Sequence, residues 1–400
     1  MAEVKRVENI ELGWFIPVRG DGEFVGVEPN RPATTEYLIE VAKAAEEAGY
    51  TFALIPTGRG CLDSWVVGSI IISHTKTLAP LMALRPGLVS PVVAARMGAT
   101  IDVLSNGRAR FNIVTGGAVP DLKSMGDPLF DSHSKRYDRT KEFLQILREL
   151  WENSTGPGSS EFLSKGDSDK GEGEKKINFK GEYYELENAI SHPEVIQKPL
   201  PPLYFGGSSE KGKRVAAETA DVFLMWAEPV EWIKEQIDEV QGYLEELEQQ
   251  KGIRRELNYG LRAHVLVRET EEEALAAANK IISKVDPSVI DSAYEKYVNA
   301  EFLSVGEARQ NQLRAEAIKN NYFVRPNLWS GLALVRNGGS LTFVGTPEQV
   351  ADRLLEYVDI GIGKFILSGY PHLEEAKISG ELLIPVLKEK LANRNIKIEI

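Results

Sequence analysis

The feature that most constrains this chain is a rhythm of eight short apolar runs, each separated from the next by a longer amphipathic stretch or loop. The runs fall at residues 12–17, 52–56, 78–84, 109–115, 203–206, 222–227, 259–267 and 364–368. They are near-continuous in apolar residues, as strands buried on both faces should be; a strand with one wet face would alternate. Helical patterns lie between them at 35–48, 91–104, 135–151, 210–220, 229–250 and 347–358, several with proline at the start or glycine past the end. Strand–helix alternation selects a parallel sheet, and eight such units predict closure into a (β/α)₈ barrel. The alternative is an open doubly wound sheet. No G-x-G-x-x-G follows the first run, which disfavours a dinucleotide-binding version of it.

A chain of 400 residues with 42% hydrophobic content can fill a large core. One α/β barrel domain with insertions is expected to account for residues 1–400, because such barrels commonly exceed ~250 residues. Two segments break the rhythm. Residues 153–177 are rich in Gly, Ser, Lys, Glu and Asp, bury too little to offset their ordering entropy, and are expected to form a mobile insert. Residues 286–325 are mildly amphipathic and are expected to form helices outside the barrel, either as a lid or as a surface for oligomer contacts.

Composition removes several classes of function. Lys and Arg number 47 against 59 Asp and Glu, a formal charge of −12, which leaves no surplus of cations for nucleic acid or an anionic membrane surface. The sole cysteine, Cys61, excludes an internal disulfide and fits a reducing cytoplasm. Neither a signal-like N-terminal segment nor a run of ~18 apolar residues appears, so no membrane association is expected. The histidines 74, 133, 192, 264 and 372 show no H-x-x-x-H or H-E-x-x-H spacing, and no metal site is expected.

In a (β/α)₈ barrel the active site lies at the C-terminal ends of the strands. That rule alone selects Arg19, the loop 57–61 with Cys61, the loop 85–87, Thr115, the turn Gly206-Gly207-Ser208-Ser209, Trp226, Arg262 with His264, and Tyr370 with His372. The glycine-rich turn feeds a helix at residue 210, so its N–H groups and hydroxyls suit a phosphate; an ordinary helix cap at Ser208 or Ser209 is the other reading. Arg262 and His264, two apart on one expected strand, share a face. A guanidinium on the inner face of a barrel needs either a local carboxylate or an anionic ligand. His264 could be a satisfied core histidine, Cys61 a small buried hydrophobe, and Trp226 either core or the wall of a site.

Eight sequence blocks carry a family resemblance. They are WFIPVRGDGEFVG (14–26), IPTGRGCLDSW (55–65), LRPGLVSPVVAARM (84–97), HSKRY (133–137), PPLYFGGSS (201–209), RAHVLVRET (262–270), RPNLWSGLALVRNGG (325–339) and ILSGYPHLEEA (366–376). From about residue 14 to 391, apart from the polar insert, the chain resembles the FMNH₂-dependent alkanesulfonate monooxygenases, a branch of the bacterial-luciferase-like flavin monooxygenases. The resemblance implies the oxygenase half of a two-component system. A separate NAD(P)H-dependent FMN reductase would supply reduced FMN (FMNH₂), and with oxygen (O₂) as co-substrate a small alkanesulfonate would be cleaved to aldehyde and sulfite; the other readings are a related flavin monooxygenase acting on another organosulfur compound or small organic anion, and a non-catalytic flavin-binding barrel. It also implies a homo-oligomer, a dimer or tetramer.

The resemblance places Cys61, Trp226, Arg262, His264, Tyr370 and His372 at active-site positions. Tyr137, Gly207, Ser208 and Ser209 fall on the flavin-phosphate side, and Thr115 near the ring. A non-proline cis peptide is expected near Ala83–Leu84, shaping the flavin pocket. An arginine that the family carries in its mobile insertion aligns with Lys319, with Arg325 as a neighbouring candidate. The chain departs from the pattern in having Val18-Arg19 where Thr-His is common and Gly60 where serine precedes the cysteine. Arg19 adds fixed charge beside the substrate mouth.

Overall fold

The computed structural model describes residues 7–116, 119–154, 175–299, 304–336 and 341–399. Eight strands pair in parallel: β1 (Asn9–Phe15), β2 (Phe52–Ile55), β3 (Ala79–Leu84), β4 (Arg110–Ile113), β5 (Leu203–Phe205), β6 (Val222–Trp226), β7 (Asn258–Arg262) and β8 (Ile362–Ile366). Gly13 of β1 lies opposite Phe52 on one side and Ile366 on the other, so the sheet closes on itself. Each of the eight expected runs supplies one barrel strand. The fold is a closed parallel (β/α)₈ barrel with helices between the strands.

Local chemistry sets the helix boundaries. Thr34 caps helix Thr35–Ala48 by accepting from the Tyr37 N–H, and Gly49 ends it in the left-handed region. Asp63 caps Ser64–His74 through the N–H groups of Trp65 and Val66. Thr346 and Gln349 form a reciprocal cap with Pro347 at the first helical position. The helices following β4, β5, β6 and β8 are His133–Glu152, Glu210–Thr219, Val230–Lys251 and His372–Ala392.

The inward column of each strand follows from its period of two. In β1 it holds Glu11, Gly13 and Phe15. A Cβ at Gly13 would come within 2.4 Å of the Phe52 ring, so this position admits only glycine. Phe15, Phe52, Leu81, Tyr204 and Ile366 fill the barrel as one apolar cluster. Beneath them, at the floor, the Glu11 carboxylate accepts from Arg110 and Lys364, and Arg110 also donates to the Tyr204 hydroxyl at 3.0 Å. A short C-terminal strand, Lys397–Glu399, adds to the start of β1.

Two expectations need correction. The run 259–267 is two strands. At Ala263 the chain leaves the barrel, because the His264 N–H turns to the Leu341 carbonyl while the Ala263 N–H still reaches Ile366. His264–Val267 then pairs with Thr342–Gly345 in a second sheet that also contains Leu328–Trp329 and Phe323–Arg325. The Ala83–Leu84 peptide is not cis. The three cis peptides among the described residues all precede proline (193, 199 and 371), and β3 keeps regular pairing with β4 through Leu84↔Ile113. Of the polar insert, residues 155–174 lie outside the described residues, and Ile177 already belongs to a strand, Ile177–Lys180, paired with Glu185–Ala189.

The segment 286–325 forms the expected helices, Pro287–Val298 and Val305–Ile318. With Glu271–Ile282 and the second sheet it surrounds a separate apolar cluster that includes Leu266, Ala278, Tyr297, Trp329 and Val344. Among the described residues no helix is long and apolar enough to cross a membrane.

Candidate active site

The mouth of the barrel has two neighbouring halves. One is built on β7, β8, β1 and β2. Arg262 ends β7 on the inward face and is 5% exposed. Its guanidinium lies 4.9 Å from the centroid of the Phe15 ring and donates to the Ser368 hydroxyl at 2.7 Å and to the Ala263 carbonyl. No carboxylate among the described residues pairs with it. Burial, reinforced by the charge of Arg336, pulls Arg262 down to about 9.

His264 reaches the same serine. Its Nδ1 lies 2.8 Å from Ser368 Oγ, while its Nε2 has no hydrogen-bond partner among the described residues. Burial and then the charges of Arg262, Arg336 and His372 push its pKa well below the ordinary imidazole value, so it is neutral at physiological pH. The shared strand face expected from the sequence does not exist, yet the two side chains still meet, because Ser368 extends the inward column of β8 between them.

The Tyr370 ring stacks on His264 at 5.7 Å and meets His372 edge-on at 4.9 Å, and its hydroxyl accepts from Arg336. Arg336 lies against the same Phe15 ring, 5.4 Å from its centroid. His372 is held from behind. Its backbone N–H donates to Asp21 Oδ2 at 2.7 Å, and its Nδ1 lies 3.0 Å from Asp21 Oδ1. Burial alone would raise the Asp21 carboxyl, but His372 and the Tyr37 hydroxyl outweigh it and hold the group at about 2. The Nε2 of His372, like that of His264, is buried without a partner among the described residues. Cys61 is half-buried on the loop after β2. Burial pushes its thiol up against the opposing pull of Arg19 and Arg85. Arg19 is exposed, with its guanidinium over Gly60.

The other half is a cavity of about 260 Å³ at the ends of β4, β5 and β6. Thr115, Tyr137, Gly207, Ser208, Ser209 and Trp226 all line it. A Cβ at Gly207 would come within 3.0 Å of the Tyr137 hydroxyl and 3.3 Å of the Gly212 Cα, so the turn packs where no side chain fits. Ser209 is the cap of the helix starting at Glu210, accepting from the Gly212 N–H at 3.2 Å. The two halves touch: Trp226 is the register partner of Arg262.

Three sequence-selected residues lie elsewhere. Ala83 is buried at the end of β3, its carbonyl taken by Ser64 Oγ and Trp65 Nε1. Lys319 is exposed, 5.3 Å from the ring of Tyr294. Arg325 pairs with Glu231 at 2.5 Å and borders a cavity of about 750 Å³ beside the second sheet. Residues that the sequence reading did not select complete the mouth: Phe15, Asp21, Arg336 and Ser368. Arg336 follows the short helical turn Gly331–Leu334 and not a barrel strand, so the strand-end rule passes over it.

This arrangement is a luciferase-like TIM barrel with a cationic, partly buried mouth. Residues 10–364 match the model of the luciferase-like monooxygenases, and the chain belongs to that family. Solved structures of similar fold include a riboflavin lyase captured with modified FMN and riboflavin, at 20% identity and TM-score 0.74 over 97% of this chain and 92% of that one. EDTA monooxygenase from Chelativorans sp. BNC1 matches at 20% and 0.73 over 95% and 94%. A long-chain alkane monooxygenase matches at 21% and 0.75 over 99% and 93%. Identity this low carries the fold between them and leaves the substrate open.

Proposed function

We propose that this protein is a flavin-dependent monooxygenase that cleaves the C–S bond of a small alkanesulfonate to aldehyde and sulfite, using reduced FMN delivered by a separate NAD(P)H-dependent reductase. The observation that carries the reading is Arg262, a buried guanidinium with no carboxylate partner among the described residues. A charge in that position is strongly disfavoured unless an anion joins it, and a guanidinium fork suits the oxygens of a sulfonate.

The cavity beside it fits the cofactor. Its glycine-lined turn, the serines at a helix N-terminus and the Tyr137 hydroxyl are groups that accommodate a phosphate. Thr115 and Trp226 would border the ring. Bound there, reduced FMN supplies, with oxygen, the electrons and the oxygen atom that no side chain of this chain can provide. The chain's own part is position, charge and dryness. Arg262 and Arg336 hold the anion against Phe15. Tyr370, fixed by Arg336, holds a proton at its hydroxyl beside neutral His264. The helices Pro287–Val298 and Val305–Ile318 act as the lid that excludes water.

The test is sulfite release from sulfonates of one to eight carbons, with an FMN reductase and NADH. Sulfite from none of them removes the reading. Oxygen uptake that depends on another organosulfur compound or small organic anion would replace it with a different substrate for the same barrel.

A further inference from the structure

The mouth carries more fixed positive charge than one small anion neutralises. The carboxylates that border it are committed: Asp21 to His372 and Tyr37, Asp121 to Arg85 at 2.7 Å, Glu374 to Arg31 at 2.7 Å and Glu375 to Arg268 at 2.6 Å. Among the described residues Arg262 and Arg336 remain without an acidic partner, and Arg19 has no hydrogen bond or ion pair.

Arg19 is nonetheless positioned. Its loop is pinned by the Leu62 N–H on the Val18 carbonyl at 3.2 Å and by mutual backbone bonds between Asp21 and Arg31. Its Nε, Nη2 and Cζ atoms lie 3.6, 3.7 and 3.9 Å from where a Cβ of Gly60 would stand, so the guanidinium lies flat on that residue. Gly60 has φ +81°, a conformation that disfavours any side chain there. The bare backbone therefore gives the guanidinium a platform directly before Cys61. Phe15, against which Arg262 and Arg336 rest, lies four residues upstream of Arg19 on the same strand and loop. The Leu62 N–H bond to the Val18 carbonyl holds the Cys61 loop against the loop that carries Arg19, at the same end of β1 as Phe15.

We propose that the substrate is a dianion: a short alkanesulfonate with a carboxylate or second sulfonate at its far end, which Arg19 takes at the rim. This rests on the sulfonate reading above and narrows it. The reacting sulfonate sits at Arg262 and Arg336. The second anion neutralises the remaining fixed charge and selects against simple alkyl chains, which would leave Arg19 unpaired over an apolar tail.

Matched pairs test it: 3-sulfopropanoate against propanesulfonate, and ethane-1,2-disulfonate against ethanesulfonate. The wild type is expected to favour the dianion in kcat/KM by about tenfold or more, a preference that falls as salt rises because the rim is exposed. Arg19→Ala is expected to bring the dianion-to-monoanion ratio close to one, through KM for the dianion, and Arg19→Lys to restore part of it. No preference in the wild type, or an equal loss for both members of a pair in Arg19→Ala, overturns the proposal. Should no sulfonate release sulfite, the sulfonate reading falls by itself. Calorimetric binding of the same pairs then decides the role of Arg19: a dianion preference that Arg19→Ala removes upholds it, and equal binding of the two members ends it.

Discussion

At the floor of the barrel, Glu11 of β1 accepts from both Arg110 of β4 and Lys364 of β8, and Arg110 also donates to the Tyr204 hydroxyl. Burial pushes the Glu11 carboxyl up, but the two cations outweigh it and hold it at about 2. At the mouth, further along the same inward columns, β1 presents Phe15, the β8 column ends in Ser368, and β7 contributes Arg262. There the cation meets a ring, a hydroxyl and a carbonyl, and no acid. Buried charge that finds its opposite within the fold is part of the scaffold. Buried charge whose opposite is missing is a request for a ligand, and the fold carries it as a standing destabilisation.

The difference is broken most directly by removing each arginine in turn. Arg262→Met is expected to lower kcat/KM on the accepted substrate by roughly 10³-fold, the scale for deleting a preorganised charge-stabilising donor. The same change should leave the thermal midpoint unchanged or raised, because it removes an uncompensated buried cation. Steady-state sulfite release and a melting curve on the same preparation check both. A large fall in the midpoint would mean that Arg262 is scaffold after all.

Arg110→Met is the mirror experiment. It strips Glu11 of one partner in a closed interior, and breaking such a pair costs about 3–5 kcal/mol. The loss should appear in denaturant unfolding, while turnover per folded molecule stays near wild type. Replacing Glu11, Arg110 and Lys364 together by apolar residues of similar volume should recover much of the loss. Failure to recover would place the damage in packing against Phe52 and Tyr204 and not in charge.

Asp21 is an acid at the mouth that serves the fold, through His372. Its folded value of about 2 lies below the ordinary 3.8. The stabilisation is therefore complete above about pH 4 and drains away as pH falls through about 2. At about 1.4 kcal/mol per pH unit, Asp21→Asn should cost roughly 2 kcal/mol at neutral pH. The gap between variant and wild type should shrink as the medium is acidified. Unfolding curves at pH 7, 4 and 2.5 follow it, and a gap that stays constant would rule out the carboxylate charge as its source.

The contrast between floor and mouth was half visible in the sequence. Eight apolar runs were enough for the barrel, because burial on both faces leaves a mark in every strand. Arg262 stood out because a charge among apolar neighbours is conspicuous. The break at Ala263 was not legible: both halves of 259–267 are equally apolar, and the choice of partner, Ile366 or Leu341, is made by residues about a hundred positions away. Asp21, Phe15 and Ser368 are ordinary residues whose meaning comes only from what the closed barrel brings to them. Arg336 was not legible from the strand-end rule, because it follows the helical turn Gly331–Leu334 and not a barrel strand. The alternatives preferred to it, Lys319 and Arg325, lie beside Tyr294 and Glu231.

Arg325 offers the finest test of the contrast, because it is a cation that has its acid and sits in water. It pairs with Glu231 while both side chains remain nearly half exposed, at 43% and 49%. Solvent and salt screen such a pair, and removing it costs on the order of 0–1 kcal/mol. Arg325→Ala is therefore expected to shift the thermal midpoint by no more than about 3 °C and kcat/KM by less than about twofold. Arg325→Ala and Arg262→Met each remove one positive charge, so in charge only location separates them. If Arg325→Ala matched Arg262→Met in its effect on turnover, the surface pair would be one state of a segment that closes over the mouth, and the division between charges that serve the fold and charges that serve the ligand would have to be redrawn around that motion.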